Sequence, residues 1–188
     1  MNLKGKMLKS VLTKIINVLG VILFTTTCYS AEYFYIKDYK IDIFLSNTSV
    51  LDIEETIDVE FTSKRHGIFR TIPYKYTIQN TGSLETAWRT VMGGKTYKIN
   101  IYNVNVEGEK FTKYKSGNNI VIKIGDKDRY VYGQKRYKIR YRIFGAINFF
   151  KNSSELYYNI IGTEWPVKIE NASFNIFLPT NYELPSGD

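Results

Sequence analysis

From Val50 to Phe61 the chain reads VLDIEETIDVEF, in which Leu51, Ile53, Ile57, Val59 and Phe61 alternate with Asp52, Glu54, Thr56, Asp58 and Glu60. A period of two gives a strand one buried and one wet face. Glu55 alone interrupts the inward row, and a lone inward carboxylate either sits near an edge or finds a cation. The preceding YKIDIFL, Tyr39 to Leu45, alternates in the same way, and SNTS, Ser46 to Ser49, supplies turn residues between the two. Together they predict a hairpin.

The pattern recurs in KTYKINIYNVNV (Lys95 to Val106), in KFTKYK and NNIVIKIGD on either side of a Gly117-Asn118 turn, and in QKRYKIRYRIFGAI (Gln134 to Ile147). A last candidate, ASFNIFLP, places Ala172, Phe174, Ile176 and Leu178 on one side before Pro179 stops it. About eight short strands with turns between them predict an all-β fold, an antiparallel two-sheet β-sandwich of immunoglobulin-like or related type. The best helix candidate is GSLETAWRTVM, Gly82 to Met92, where Leu84, Trp88 and Met92 are spaced by four and Ser83 can cap; a loop is the alternative.

The first 30 residues stand apart. Lys4, Lys6, Lys9 and Lys14 make a basic start without acids, and the uncharged IINVLGVILFTTT follows. This is the pattern of a secretion signal. Its 13-residue run is shorter than the roughly 20 residues of a membrane-spanning helix. Cys28, Tyr29 and Ser30 form a small-x-small site that allows cleavage before Ala31, with an uncleaved anchor and lipidation at Cys28 as rival readings. The expected organisation is a signal peptide over 1–30, a β-sandwich domain over 31–179 and the start of a linker or truncated tail over 180–188.

Composition changes this picture in two ways. The formal net charge of +8 includes four lysines of the signal and no acid from it, so the remaining chain has 22 basic against 18 acidic residues, a net +4. That is a solvated surface rather than the concentrated basic stripe of a nucleic-acid binder, and no nucleic-acid partner is expected. The sole cysteine lies in the signal, so the mature chain is expected to hold no disulfide and no cysteine nucleophile.

KRHGIFRTIPYKY, Lys64 to Tyr76, is the segment that periodicity does not account for. Gly67 permits an unusual backbone angle, Ile68 and Phe69 are expected to plug the core, and Pro73 closes a corner between two sheets. A corner does not require two guanidinium groups, which suit planar pairing with carboxylates. For Arg65 and Arg70 an internal ion pair, with Glu155 or Glu164 as the expected partner, is favoured over an external anion site. His66 is the only histidine, and without a Gly-x-Ser-x-Gly turn or cysteines it is read as an exposed loop residue rather than a triad base or zinc ligand.

Two segments in order resemble a known family. HGIFRTIP (His66 to Pro73) is similar to the first signature, and ELYYNIIGTEWPVKIENASFNIFLP (Glu155 to Pro179) to the second signature, of the YciQ-like predicted bacterial membrane proteins (DUF2207), a domain of unknown function. The resemblance implies an extracytoplasmic β-sandwich, followed in typical members by membrane helices and a glycine-rich tail. This sequence has no later hydrophobic span before Asp188, so a truncated or split member and a soluble envelope protein are both carried as expectations. His66 stands where an arginine is more usual.

Glu155 and Glu164 lie near Tyr157, Tyr158, Asn159 and Trp165. Paired carboxylates among aromatic platforms suit a glycoside hydrolase, while sugar binding needs only the rings and amides. The leading expectation is a non-catalytic, exported binding or interaction module of the cell envelope, periplasmic or at the cell surface, with Arg65, Arg70, Glu155, Tyr158, Glu164 and Trp165 as candidate binding residues. An envelope protein or a glycan is the expected partner, with membrane association through an uncleaved signal or a missing C-terminal part. No cofactor or metal is expected. A carbohydrate-active enzyme using Glu155 and Glu164, and an assembly role for edge strands, are the alternatives.

Overall fold

The computed structural model describes residues 32–77, 96–149 and 153–180. The expected signal peptide, the helix candidate over 82–92 and nearly all of the 180–188 tail lie outside the described residues. The chain divides into Met1–Ala31 and Glu32–Asp188, and everything below concerns the second unit.

Twelve strands occur among the described residues, and no helix there is long and apolar enough to cross a membrane. In chain order they are β1 (Phe34–Leu45), β2 (Val50–Arg65), β3 (Gly67–Pro73), β4 (Lys75–Thr77), β5 (Thr96–Lys98), β6 (Asn100–Val106), β7 (Phe111–Ser116), β8 (Asn119–Gly125), β9 (Val131–Phe144), β10 (Ile147–Phe149), β11 (Ser154–Leu156) and β12 (Ile169–Phe177). They form a five-stranded sheet in the order β12-β1-β2-β9-β6, a three-stranded sheet β3-β8-β7, and the two-stranded pairs β10-β11 and β4-β5.

The expected hairpin is β1 with β2, antiparallel and closed by the Ser46–Ser49 turn, where the Val50 amide donates to Ser46 Oγ at 3.0 Å. The inward row of β2 is buried as its alternation requires. A register shift between Ile36 and Asp38 lets β1 change phase, so that Ile36 and Tyr39 both face the core. β7 and β8 pair across the Gly117-Asn118 turn. Lys95 to Val106, expected as one strand, is broken at Ile99 into β5 and β6, which pair in different sheets.

One pairing departs from the antiparallel expectation. β12 runs parallel to β1, with Ile41 beside Phe174 and Ile43 beside Ile176. A parallel pair needs a long return connection, and here the whole course from β2 to β11 lies between the two strands.

The core joins the two larger sheets. Ile41, Ile43, Ile53, Ile57, Ile139 and Ile143 of the five-stranded sheet fall in one buried cluster with Ile68, Ile72, Ile122 and Ile124 of the three-stranded sheet. The outer face of the large sheet carries a ladder of charges, with Asp52 opposite Arg142, Glu54 opposite Arg140 and Asp58 opposite Arg136 across β2 and β9.

Candidate functional site

β2 is the middle strand of the large sheet, so Glu55 has no edge through which to reach water. Its neighbours in the inward row are Ile53 and Ile57, and it is 1% exposed. β3 has the matching irregularity: Ile68, Arg70 and Ile72 point inward in alternation, and Arg70 is likewise 1% exposed. Each sheet thus inserts one charge into an apolar row, and the two charges meet.

The geometry is that of a well-made buried ion pair. Arg70 Nε donates to Glu55 Oε1 and Oε2 at 3.1 and 2.9 Å, and Nη2 donates to Oε1 at 2.8 Å. Nη1 donates to the Thr71 carbonyl at 2.9 Å, and Nη2 also donates to that of Ile160 at 3.3 Å. Tyr141, from the inward row of β9, donates its hydroxyl to Glu55 Oε1 and shares a 2.7 Å hydrogen bond with Tyr158. Removing two ions from water costs several kcal/mol each, and these hydrogen bonds together with the pairing itself are what offset it.

The segment after β11 wraps this centre. Trp165 and Tyr39 place their rings 5.7 Å from the Arg70 guanidinium carbon and meet each other edge-on at 5.8 Å. Gly162 packs directly on the guanidinium: a Cβ there would lie 2.7 Å from Nη1, and φ is 84°. Asn159 holds the turn by accepting from the Gly162 amide at 3.0 Å, and Trp165 Nε1 donates to the Ile161 carbonyl at 3.2 Å.

Burial pushes the hydroxyls of Tyr39, Tyr141 and Tyr158 above their ordinary range, and the negative charge of Glu55 adds to it. Burial, the largest single influence, would depress Arg70, but the charge and hydrogen bonds of Glu55 together with the Tyr39 and Tyr141 hydroxyls outweigh it and hold the guanidinium above its usual value. The cluster is therefore a buried hydrogen-bonded centre that ties β2, β3, β9 and the 157–165 segment together.

These contacts correct the expected pairing. Arg70 is paired internally, with Glu55 and with neither Glu155 nor Glu164, because the inward face of β3 looks onto the central strand of the opposite sheet. Of the candidate residues, the structure brings together Arg70, Tyr158 and Trp165, and adds Glu55, Tyr141 and Tyr39. The signal for Glu55 was its position in an apolar row, and that for Tyr141 was its place in the alternation of β9.

The corner itself lies at the start of β3, the strand that carries Arg70. β2 ends at Arg65, His66 turns the chain, and β3 begins at Gly67 in the other sheet, so the corner joins the two sheets as expected. A Cβ on Gly67 would collide with the Ile124 carbonyl, and its φ of 137° suits glycine alone. Phe69, expected in the core, is instead 52% exposed, because the alternation that buries Ile68 and Arg70 turns it outward. His66 is exposed; its Nδ1 lies 3.0 Å from the Arg129 carbonyl, and its ring is 4.3 Å from that of Tyr130.

The corner opens on a groove of about 590 Å³ lined by Lys64, Arg65, Phe69, Lys123, Tyr130 and Glu164, among others. The Arg65 guanidinium lies 4.7 Å from the Tyr33 ring centroid, and Lys123 Nζ lies 6.0 Å from that of Phe69. Glu155 is elsewhere. It sits on β11 opposite Asn148 and lines a separate cavity of about 390 Å³ with Leu45, Asn47 and Leu178.

An all-β domain whose two main sheets are joined by a buried ion pair, and which carries a cationic, aromatic groove at its corner, is the class of protein that this geometry defines. The chain belongs to the DUF2207 family, described as the N-terminal domain of a predicted membrane protein, whose model matches residues 35–185. No curated protein matches it. Among solved structures it is similar to leukotriene A4 hydrolase from Saccharomyces cerevisiae, with a TM-score of 0.39 and 12% identity over 80% of this chain and 24% of that one. It is also similar to an M1 zinc metallopeptidase from Deinococcus radiodurans, with a TM-score of 0.33 and 7% identity over 61% of this chain and 21% of the other. The chain spans about a quarter or less of the length of these structures, and likenesses this distant say nothing of activity.

Proposed function

We propose that the domain is a non-catalytic binding module of the bacterial cell envelope, exported by residues 1–30, folded as a two-sheet sandwich, and using the corner groove as its ligand surface. The observation that carries the reading is the groove's composition: Lys64, Arg65 and Lys123 face it against the single carboxylate of Glu164, with Phe69 and Tyr130 as flat apolar faces. Cations beside exposed rings suit an anionic ligand with a flat apolar side, such as an acidic envelope glycan. The buried Glu55–Arg70 pair ties β3, which leaves the corner, to β2, which enters it.

The separation of Glu155 and Glu164 into different cavities supports the non-catalytic part of the reading. A glycosidase needs its two carboxyls on either side of one scissile bond, within about 10 Å. Purified acidic and neutral envelope glycan fragments, titrated calorimetrically against the full chain while free reducing ends are assayed, test both parts. Saturable binding of the acidic fragments, weakened at least tenfold by Arg65→Ala with Lys123→Ala and without release of reducing ends, is the expected result. Turnover that disappears in a folded Glu155→Gln variant would sink the non-catalytic reading. Binding indifferent to the double variant would move the ligand off the groove.

A further inference from the structure

β12 is an edge strand, paired on one side with β1 and, among the described residues, with nothing on the other. An open edge presents unpaired backbone N–H and C=O groups, and proteins usually blunt it with lysines, proline or a bulge. Two other open edges here carry such devices. β6 is interrupted by a register shift between Tyr102 and Asn105, with Asn103 in the left-handed region at φ 51°. β7, FTKYKS, carries Lys113 and Lys115. β12, IENASFNIF, has no lysine, no proline and no shift in its ladder from Asn171 to Phe177, and Glu170 is its only charge.

Its side chains also lack the cover that their register predicts. Phe174 and Ile176 sit beside the fully buried Ile41 and Ile43, on the core side of the sheet, yet they are 51% and 41% exposed. On the other face Phe177 stacks on Phe44 at 4.6 Å, and both rings remain exposed. The edge thus exposes Phe174 and Ile176 on the core side and Phe177 on the outer side, and it carries none of the devices that blunt β6 and β7.

We propose that β12 pairs antiparallel with β12 of a second copy of this chain, extending the five-stranded sheet across a two-fold axis. The strand is compatible with its own reverse. With the axis at Phe174, that ring faces its counterpart, Ala172 of one copy faces Ile176 of the other on the core side, Ser173 faces Asn175 on the outer side, and one step further out Asn171 faces Phe177. A two-fold interface requires this self-complementarity. A single-strand interface falls short of the roughly 800 Å² per partner of standard complexes, so the dimer is weak.

Sedimentation equilibrium of the full 188-residue chain in density-matched mild detergent tests this, from about 1 µM to about 1 mM. The expected result is a mass that rises from one chain to two, with Phe174→Lys and Ile176→Lys each weakening association at least tenfold at unchanged thermal midpoint. A wild-type chain that stays monomeric overturns the proposal, as does one whose association is indifferent to both variants. So does a chain that is monomeric alone but takes up the strand of another protein. Should the lysine variants fail to fold, Phe174→Cys in a Cys28→Ser background gives a second readout. Oxidation is expected to link two copies through position 174, and its failure to do so at concentrations where the chain is dimeric overturns the pairing.

Discussion

Glu55 and Arg70 each occupy the one charged position in an otherwise apolar row, on facing sheets, and each is the other's partner, with Nε to Oε2 at 2.9 Å. Breaking such a pair leaves an uncompensated buried charge, which costs about 3–5 kcal/mol, whereas replacing both members with apolar residues of similar volume is near neutral. Arg70→Met and Glu55→Leu should therefore each lose about that much, and the double variant should recover most of it in a double-mutant cycle by urea denaturation. Additive losses would mean that the two residues act separately.

Gly162 is tied to the same pair. With φ at 84° and the Arg70 guanidinium 2.7 Å from where a Cβ would sit, alanine faces both backbone strain and a clash. Gly162→Ala is expected to cost about 1–3 kcal/mol. The loss should shrink in an Arg70→Met, Glu55→Leu background, where a flexible apolar side chain replaces the guanidinium. An equal loss in both backgrounds would assign the whole effect to the backbone angle.

Glu55 shows where sequence reading succeeds and where it stops. Period-two alternation marks it as an inward carboxylate in need of a cation, and the same logic applied to GIFRTIP would have turned Ile68, Arg70 and Ile72 inward and Phe69 outward. Alternation states which face a residue takes, but not which residue faces it across the core. That depends on how the corner at His66 folds one sheet over the other, and Glu155 and Glu164 drew attention because their aromatic surroundings look like a site. Strand direction is hidden for a similar reason. The side chains of ASFNIFLP alternate identically whether β12 runs parallel or antiparallel to β1.

The outer ladder makes a contrast with the buried pair. Arg136 Nε donates to Asp58 Oδ1 at 2.6 Å, and that hydrogen bond holds the Asp58 carboxyl below its ordinary range, but both groups are in contact with water. Exposed pairs contribute little and are screened by salt. Arg136→Ala should leave the denaturation midpoint almost unchanged at about 0.15 M salt and lower it slightly at about 0.01 M. A loss as large as that of Arg70→Met would show the ladder to be a structural element in its own right.

Alkaline pH probes the buried tyrosines. The hydroxyls of Tyr39, Tyr141 and Tyr158 are all raised, chiefly by burial, and that of Tyr76 is pushed up to about 12, also by burial first. In the unfolded chain these groups release their protons near pH 10. Above that pH the folded state holds more protons than the unfolded one, so stability falls as pH rises. It is fully present below about pH 10 and is lost progressively as pH climbs toward the folded values. Urea midpoints should therefore be level from about pH 7 to about pH 9 and then decline, with a shallower decline in Tyr158→Phe, which removes one titrating group without removing the Tyr141 bond to Glu55. A decline equally steep without Tyr158 would place the titrating groups outside the buried centre.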